Sequence, residues 1–319
     1  MLQDDRYLSM TFQRPKRIPV SVGILPAAWM RYREELDHLC AEHPKLFGSH
    51  REGQRDYDAV GGTYVMGRHV DAWGCIWDNV QHGCESIVTG HPLPTRADVW
   101  KLQPPKPGAG LPHGFMWLRL GDLRGFEELM CDFGEEAPEL GHLIDIVRDY
   151  NVAEMTRICE NYSHWMVYVG DDLGMQTALP ISPKQWRKWL KPCYEQIYAV
   201  PKAKGLKVYM HTDGHILEII PDLVDAGVDV VNPQIRANGL PGLKDVCFGK
   251  VCIDLDLDRQ LFPFCTPQDI DDHVRECVET LGSPEGGLWL KAEIGPDVPL
   301  ANCEAIFTAL ETYQDYFTN

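Results

Sequence analysis

The chain has 319 residues, of which 44% are hydrophobic and 24% are charged, a composition typical of a globular protein with a sizeable core. Its 30 Lys and Arg residues against 47 Asp and Glu residues give a net charge of −17, which argues against the basic surface that nucleic-acid binding requires. No apolar run approaches the ~20 residues of a membrane span, and Met1–Arg17 lacks the apolar stretch of a secretory signal, so we expect a cytoplasmic protein without membrane contact.

The first 113 residues contain few clear elements. Ile18–Ile24 is a short apolar run that predicts a buried strand, and Ala27–Cys40 has the pattern of a helix. Tyr64–Pro92 is aromatic and punctuated by glycine, which predicts extended segments or hairpins. The stretch Gln103–Pro112 is rich in Pro and Gly and marks a junction. This region therefore predicts one strand, one helix and an extended insert.

From residue 114 onwards, β-rich runs alternate with helical patterns. The predicted strands are Phe115–Leu120, Trp165–Val169, Lys207–Met210, Val228–Val231, Val251–Ile253 and Leu288–Leu290. Two helices begin with a hydroxyl cap followed by proline, at Ser182-Pro183 and at Thr266-Pro267. Such alternation predicts parallel strands joined by crossover helices.

The strand count favours a barrel. The six runs and the strand near residue 20 make seven, and the Tyr64–Pro92 region could hold an eighth. An open doubly wound sheet stays an alternative, but no Gly-x-Gly-x-x-Gly motif follows any strand. We therefore predict an α/β fold, a (β/α)8 TIM barrel with extra N-terminal segments. It would form one domain over residues 1–319, in which an insert-bearing segment over residues 1–113 precedes regular β/α units over 114–319.

Polar side chains follow five of the predicted strands. They are Asp171 and Asp172, His211 and Asp213, Asn232 and Gln234, Asp254 and Asp256, and Lys291 and Glu293. Because the carboxyl ends of parallel barrel strands face one mouth, these residues predict an active site there. Any single one of them is equally well explained as a loop residue or a helix cap.

His211 is the principal candidate in this set, since histidine serves both as a metal ligand and as a proton shuttle near neutral pH. A core histidine held by a neighbour is the alternative. Asp172 is the second catalytic candidate, although one of the pair Asp171-Asp172 could only cap a turn. Trp73 and Trp117 could line an aromatic substrate pocket or belong to the core.

Long segments of the chain resemble the uroporphyrinogen decarboxylase superfamily, and within it the corrinoid-dependent methyltransferases and O-demethylases. The resemblance is carried by GDDLGMQTALPISPKQWRKWLKPCYEQI, which begins at Gly170, and by KAKGLKVYMHTDGHILEIIPDLVDAGVDVVNPQ, which begins at Lys202. It implies a barrel that takes a methyl group from a small O-methyl compound and passes it to the reduced cobalt of a partner corrinoid protein. The Asp-x-His-x-x-Gly corrinoid signature is absent from this chain, so the cofactor would be carried by that partner. The resemblance leaves open whether the protein forms a homodimer.

The chain departs from the superfamily's sequence patterns in two places, and these departures limit which reaction and which metal ligands the resemblance implies. The RQAGRY-type and FSD-type segments of the true decarboxylase are absent, which makes porphyrinogen decarboxylation the runner-up to methyl transfer. The thiol-using methyltransferases carry a His-x-Cys pair and a later Cys as zinc ligands. This chain has His211-Thr212-Asp213 instead, and Glu293 lies near the expected position of the later cysteine.

These departures predict a zinc site with nitrogen and oxygen ligands. His211 and Glu293 would be ligands, Asp213 or Asp172 would complete the set, and one position would stay open for substrate. Parity favours Asp213, because alternate side chains of an extended segment share a face. The predicted substrate-binding residues are Asp171, Asn232, Gln234, Asp254, Lys291, Trp73 and Trp117. In the metal-free alternative His211 acts as a general acid, and a non-catalytic barrel that binds a small ligand is the third possibility.

Overall fold

The computed structural model describes residues 4–48 and 50–318 and has an α/β architecture. The strands are β1 (Val20–Ile24), β2 (Gly67–Val70), β3 (Ile76–Asn79), β4 (Ile87–Gly90), β5 (Met166–Gly170), β6 (Lys207–Thr212), β7 (Val230–Pro233), β8 (Cys252–Asp256) and β9 (Leu288–Ile294). The α-helices are α1 (Asp5–Met10), α2 (Pro26–Glu42), α3 (Pro44–Phe47), α4 (Arg96–Val99), α5 (Trp117–Arg124), α6 (Phe126–Glu135), α7 (Pro138–Glu160), α8 (Pro183–Trp189), α9 (Lys191–Ala203), α10 (Ile220–Asp225), α11 (Ile235–Asn238), α12 (Leu240–Cys247), α13 (Pro267–Leu281) and α14 (Leu300–Tyr313).

The main sheet has six strands in the order β1-β9-β8-β7-β6-β5 and is parallel. Strands β5 to β9 therefore lie side by side in chain order, and the first strand pairs with the last. A doubly wound sheet would reverse its strand order at a switch point. Sequential order with β1 beside the last strand is instead the topology of a (β/α)8 barrel, as the sequence predicts.

The chain divides into two compact units. The first unit comprises the described residues up to 67, residues 79–86 and those from 233 onwards. In it β9 pairs with β1 on one side, from Val20 opposite Leu290 to Ile24 opposite Ile294, and with β8 on the other. Helix α13 begins at the predicted Thr266 cap, and Thr266 and Asp269 bond reciprocally in a capping box.

The second unit comprises residues 68–78 and 87–232. Strands β5 and β6 pair in register, with Gly170 opposite His211 at their carboxyl ends. Helix α8 begins at the predicted Ser182 cap, whose hydroxyl accepts a hydrogen bond from the Gln185 amide. The rings of Trp186 and Tyr194 are fully buried and stack with centroids 6.0 Å apart. The stacked rings thus pack α8 against α9.

The predicted strand Phe115–Leu120 is wrong, because Trp117–Arg124 forms helix α5. Its amino end is capped from a distance by the buried carboxylate of Asp171, which accepts the amide hydrogens of residues 116–118. Such a carboxylate satisfies amides that the helix leaves unpaired and interacts favourably with the helix dipole. The apolar run is compatible with a strand or a helix, and the hydrogen bonds from Asp171 favour the helix.

The Tyr64–Pro92 region contains the predicted extended segments, but it does not supply an eighth barrel strand. Strands β2, β3 and β4 form a separate sheet in that order, with β3 and β4 antiparallel. Asp78 on β3 joins both outer strands, because it accepts two hydrogen bonds from Arg68 at 2.8 Å each and one from the Thr89 hydroxyl at 2.6 Å.

The Arg68 guanidinium, followed by the Thr89 hydroxyl, lowers the pKa of Asp78 to about 2. A lowered pKa means that this contact stabilises the small sheet fully above the ordinary pKa of ~3.9 and less as the pH falls toward 2. In a carboxyl NMR titration we expect Asp78 to titrate near pH 2, and Arg68→Ala to move the midpoint toward the ordinary value. A wild-type midpoint near 4 would contradict the contact.

Among the described residues, no helix combines the length and the apolar character that crossing a bilayer requires.

Candidate functional site

The polar residues expected after the strands lie at the strand ends themselves. His211 is in β6, Asn232 in β7 and Lys291 in β9, whereas Asp171 and Asp172 follow β5 as predicted. The main-chain hydrogen bonds of a ladder do not depend on side-chain polarity, so pairing continues through these positions. The predicted strands are therefore too short at their carboxyl ends.

Three side chains of the second unit converge in this region and could hold a metal ion. Ligand atoms of His113, Asp172 and His211 all lie within 4.8 Å of one another. The two oxygens of Asp172 face different imidazoles, with His113 Nε2 at 3.1 Å from Oδ2 and His211 Nε2 at 4.0 Å from Oδ1. Asp172 and His211 are partly buried and His113 is half-exposed. The group is thus open to small molecules on the His113 side.

Asn232 orients the His211 imidazole. Its side-chain Oδ1 lies 2.6 Å from His211 Nδ1 and is fully buried. An amide oxygen only accepts hydrogen bonds, so Nδ1 carries the proton and, in the neutral ring, Nε2 presents its lone pair. That lone pair faces the carboxylates of Asp172 and Asp213. A hydrogen bond to the remote ring nitrogen is the support that metal-binding histidines commonly have.

Asp213 lies on the same side as His211, as the parity of the extended segment predicts. Its Oδ1 is 3.3 Å from His211 Nε2. An imidazole lone pair against two carboxylates is repulsive unless a cation lies between them or Nε2 is protonated. The arrangement therefore suits either a bound divalent metal or an imidazolium.

Backbone contacts hold the two loops of the site together. The Gly174 amide donates to the Asp213 carbonyl at 3.1 Å, and the His215 amide donates to the Met175 carbonyl at 2.7 Å. The Asp213 amide also donates to Asp172 Oδ1 at 3.0 Å. Gly214 has a φ of +83°, and a Cβ there would lie 2.3 Å from the Gly174 backbone. The loops cross so closely that only glycine fits.

The sequence prediction misses His113, because its polar candidates are all residues that follow predicted strands. It stands at the end of the Gln103–Pro112 stretch, and the next amide, of Gly114, donates to the Gly170 carbonyl at 2.8 Å. A Cβ on Gly170 would lie 2.6 Å from His113 Nδ1, so this glycine makes room for the ring. A histidine flanked by Pro and Gly is the only local feature that points to His113. Its position in the fold depends on tertiary contacts, which the sequence does not reveal.

The electrostatics of His113 follow from these neighbours. Burial lowers the pKa of His113, but the Asp172 carboxylate, with contributions from Asp171 and Asp213, outweighs burial and leaves the pKa raised. The imidazole is therefore held by negative charge, which also favours a cation at this place.

Asp171 was predicted to bind substrate, and its carboxylate contacts the protein interior. It is fully buried and accepts hydrogen bonds from the three amides at the start of α5 and from the Tyr194 hydroxyl at 2.7 Å. Burial raises its pKa, although these donors oppose the shift. The contacts assign Asp171 a structural task, and its substrate role stays a prediction.

The predicted aromatic residues lie in packed surroundings. Trp117 is 5% exposed and lies against the Phe133 ring. Trp73 is partly exposed, packs edge-on against Tyr150 at 4.9 Å and has the Arg119 guanidinium over its ring. Trp73 is thus the more accessible of the two predicted substrate contacts.

The remaining predicted residues belong to the first unit: Gln234, Asp254, Lys291 and Glu293. Gln234 forms an isolated parallel bridge with Asp256, and Asp254 is buried within β8. Glu293 accepts a hydrogen bond from Arg259 at 2.5 Å, and both line a pocket of about 780 Å³. That volume accommodates a small organic molecule. The predicted metal-ligand role of Glu293 and the substrate roles of the others stay predictions.

The donor set of the His113, Asp172 and His211 group fits a divalent metal. Two imidazoles and a carboxylate are ligands that zinc accepts, and three protein ligands leave a position for substrate, as catalytic zinc sites do. No thiolate takes part in the group. Within residues 4–48 and 50–318, this is the one group of at least three such side chains found to converge.

The sequence matches the family profile of uroporphyrinogen decarboxylase (URO-D) over residues 117–313, which is more than half of the chain. The chain belongs to this family. The match begins at α5 and includes every strand from β5 to β9. Asp172 and His211 lie within it, whereas His113 precedes it.

One solved structure shares this fold over almost its whole length. A methyltransferase from Methanosarcina mazei is 19% identical, and the alignment covers 97% of this chain and 98% of that chain with a TM-score of 0.65. A dihydropteroate synthase from Xanthomonas albilineans, solved with 4-aminobenzoic acid, is 14% identical over 49% of this chain and 57% of that chain, with a TM-score of 0.34. No curated protein matches the sequence significantly.

Proposed function

We propose that the protein is the substrate-binding methyltransferase of an O-demethylase system. It would take the methyl group of a small methoxylated compound and pass it to the reduced cobalt of a cytoplasmic partner corrinoid protein. Membership of the URO-D family and the fold shared with a methyltransferase support methyl transfer. The observation that carries the proposal is the His113, Asp172 and His211 group, with His211 oriented by Asn232.

The residues of the group have separate tasks in this proposal. His113, Asp172 and His211 would hold zinc, with Asp213 next to His211 as a further donor. When bound, zinc would act as a Lewis acid on the methoxy oxygen, which favours its departure. Asn232 keeps His211 Nε2 directed at the group, and the half-exposed side next to His113 admits the substrate.

A metal-free version uses the same geometry. His211 would carry a proton on Nε2, held between Asp172 and Asp213, and would donate it to the leaving oxygen as a general acid. The methyl group would go to the cobalt nucleophile, and the oxygen, having taken the proton from His211, would leave as the neutral alcohol. This version differs from the metal version in metal content but not in overall reaction.

Metal content and methyl transfer of the purified protein test the proposal together. We expect about one zinc per chain and conversion of cob(I)alamin to methylcobalamin with methanol or a methoxyaromatic compound. Conversion with methylamines alone would support methyl transfer but contradict an O-methyl substrate. Activity without bound metal would favour the general-acid version. No methylcobalamin with any donor would contradict methyl transfer, and release of CO2 from carboxylated substrates or ligand binding alone would favour the two alternatives.

A further inference from the structure

Glu154 is a buried carboxylate that none of the assigned roles explains. It lies near the end of α7 and is 0% exposed. Its Oε1 accepts the amide hydrogen of Gly110, and the Gly108 amide also donates to the carboxylate. Arg157, one turn further along α7, pairs with it at 2.6 Å. A charge buried in this way needs such donors, and two of them come from one exposed glycine-rich loop.

That loop leads directly to the proposed metal site. Only Leu111 and Pro112 separate the Gly110 anchor from His113, and proline fixes its own φ and restricts the residue before it. On the other side of His113, the Gly114 amide is bound to the Gly170 carbonyl. His113 is therefore held between two anchors with little slack.

We infer that Glu154 is a positioning residue, which fixes the Gly108–Gly110 loop and thereby places His113 Nε2 beside Asp172 in the metal site. The inference rests on the proposed metal site for its consequence, but its structural basis concerns only the loop. His113 is the one member of the group that lies neither in a strand nor just after one, since Asp172 is two residues past the end of β5 and His211 is in β6. Glu154 supplies the anchor on the Pro112 side of His113, and the Gly170 carbonyl supplies the anchor on the other side.

A double-mutant cycle with Co²⁺ as the probe tests the inference. In Glu154→Gln the side chain loses its negative charge and one of its two acceptor oxygens, so it holds the two glycine amides and Arg157 less firmly. We expect Co²⁺ to bind about 10-fold or more weakly, with a changed visible spectrum. In a His113→Ala background the same substitution should change the affinity less than about 2-fold, because the residue that it positions is gone. Equal weakening in both backgrounds, or none in the wild type, would overturn the inference.

The matched control is Glu160→Gln, which removes an exposed carboxylate from the end of the same helix and should leave the Co²⁺ affinity unchanged. Should Glu154→Gln fail to fold, two glycines inserted between Leu111 and Pro112 uncouple His113 from the anchor without touching Glu154. Exposed loops tolerate such insertions. We expect this variant to bind Co²⁺ as weakly as His113→Ala, and wild-type affinity would overturn the inference.

Amide hydrogen exchange of the metal-free protein separates this inference from the proposed function. In Glu154→Gln, exchange should accelerate at Gly114 as well as at Gly108 and Gly110, because the anchor holds the whole segment. If the acceleration stopped at Gly110, Glu154 would not position His113. If the wild type bound no metal while Gly114 responded, the metal site would be wrong and the positioning of His113 would stand.

Discussion

His211→Ala is expected to abolish both metal binding and methyl transfer. The substitution removes an Nε2 atom that faces two carboxylates and leaves Asp172 and Asp213 without the nitrogen ligand between them. Changes next to metal ligands already weaken affinity by about 10–100-fold, so loss of a ligand should weaken it by at least about 100-fold. Zinc content by mass spectrometry and methylcobalamin formation measure the two effects on the same sample.

The two measurements also separate the metal from the general-acid mechanism. If His211 only donates a proton, His211→Ala loses activity but keeps whatever metal the wild type holds. His164→Ala is the matched control, because His164 is an exposed histidine of the same unit next to the start of β5. Full activity in both His211→Ala and Glu293→Gln would show that the polar strand ends have been misinterpreted.

The regions of the fold that depend on local patterns could be predicted from the sequence. The apolar positions of α13, such as Ile270, Val274 and Leu281, recur at helical spacing and are all buried. The Thr266 cap is a short-range contact between neighbouring residues, so its residue types reveal it. The convergence of Asp172, His211 and Asp213 could be predicted in the same way, from strand alternation and side-chain parity.

The features that depend on distant partners could not be predicted. His113 reaches the site because a loop is fixed by Glu154 and because Gly170 leaves room for its ring, and neither contact has a local pattern. The helix at α5 depends likewise on the carboxylate of Asp171. One buried acid thus stabilises a helix where the sequence predicts a strand.

Gly214→Ala is expected to destabilise the second unit and to remove the metal site at once. A methyl group at this position would lie 2.3 Å from the Gly174 backbone, where no flexible side chain can move aside. The loops after β5 and β6 must then separate, which breaks the hydrogen bonds that join Asp213 to Gly174 and to Asp172. We expect the free energy of unfolding to fall by about 3 kcal/mol or more, measured by urea denaturation, together with loss of bound zinc.

Gly205→Ala is the control that separates the clash with the Gly174 backbone from the strain of a left-handed backbone conformation. Gly205 has a φ of +74°, close to the +83° of Gly214, but a Cβ there meets nothing within 4 Å. Both alanines suffer the strain of a left-handed conformation, which costs about 1–2 kcal/mol, whereas only Gly214→Ala forces two backbones apart. The difference between the two variants in free energy of unfolding therefore gives the cost of forcing the Gly174 and Gly214 backbones apart. If both variants lost the same stability and both kept zinc, the close approach of Gly174 and Gly214 would not be what holds Asp172 and Asp213 beside His211.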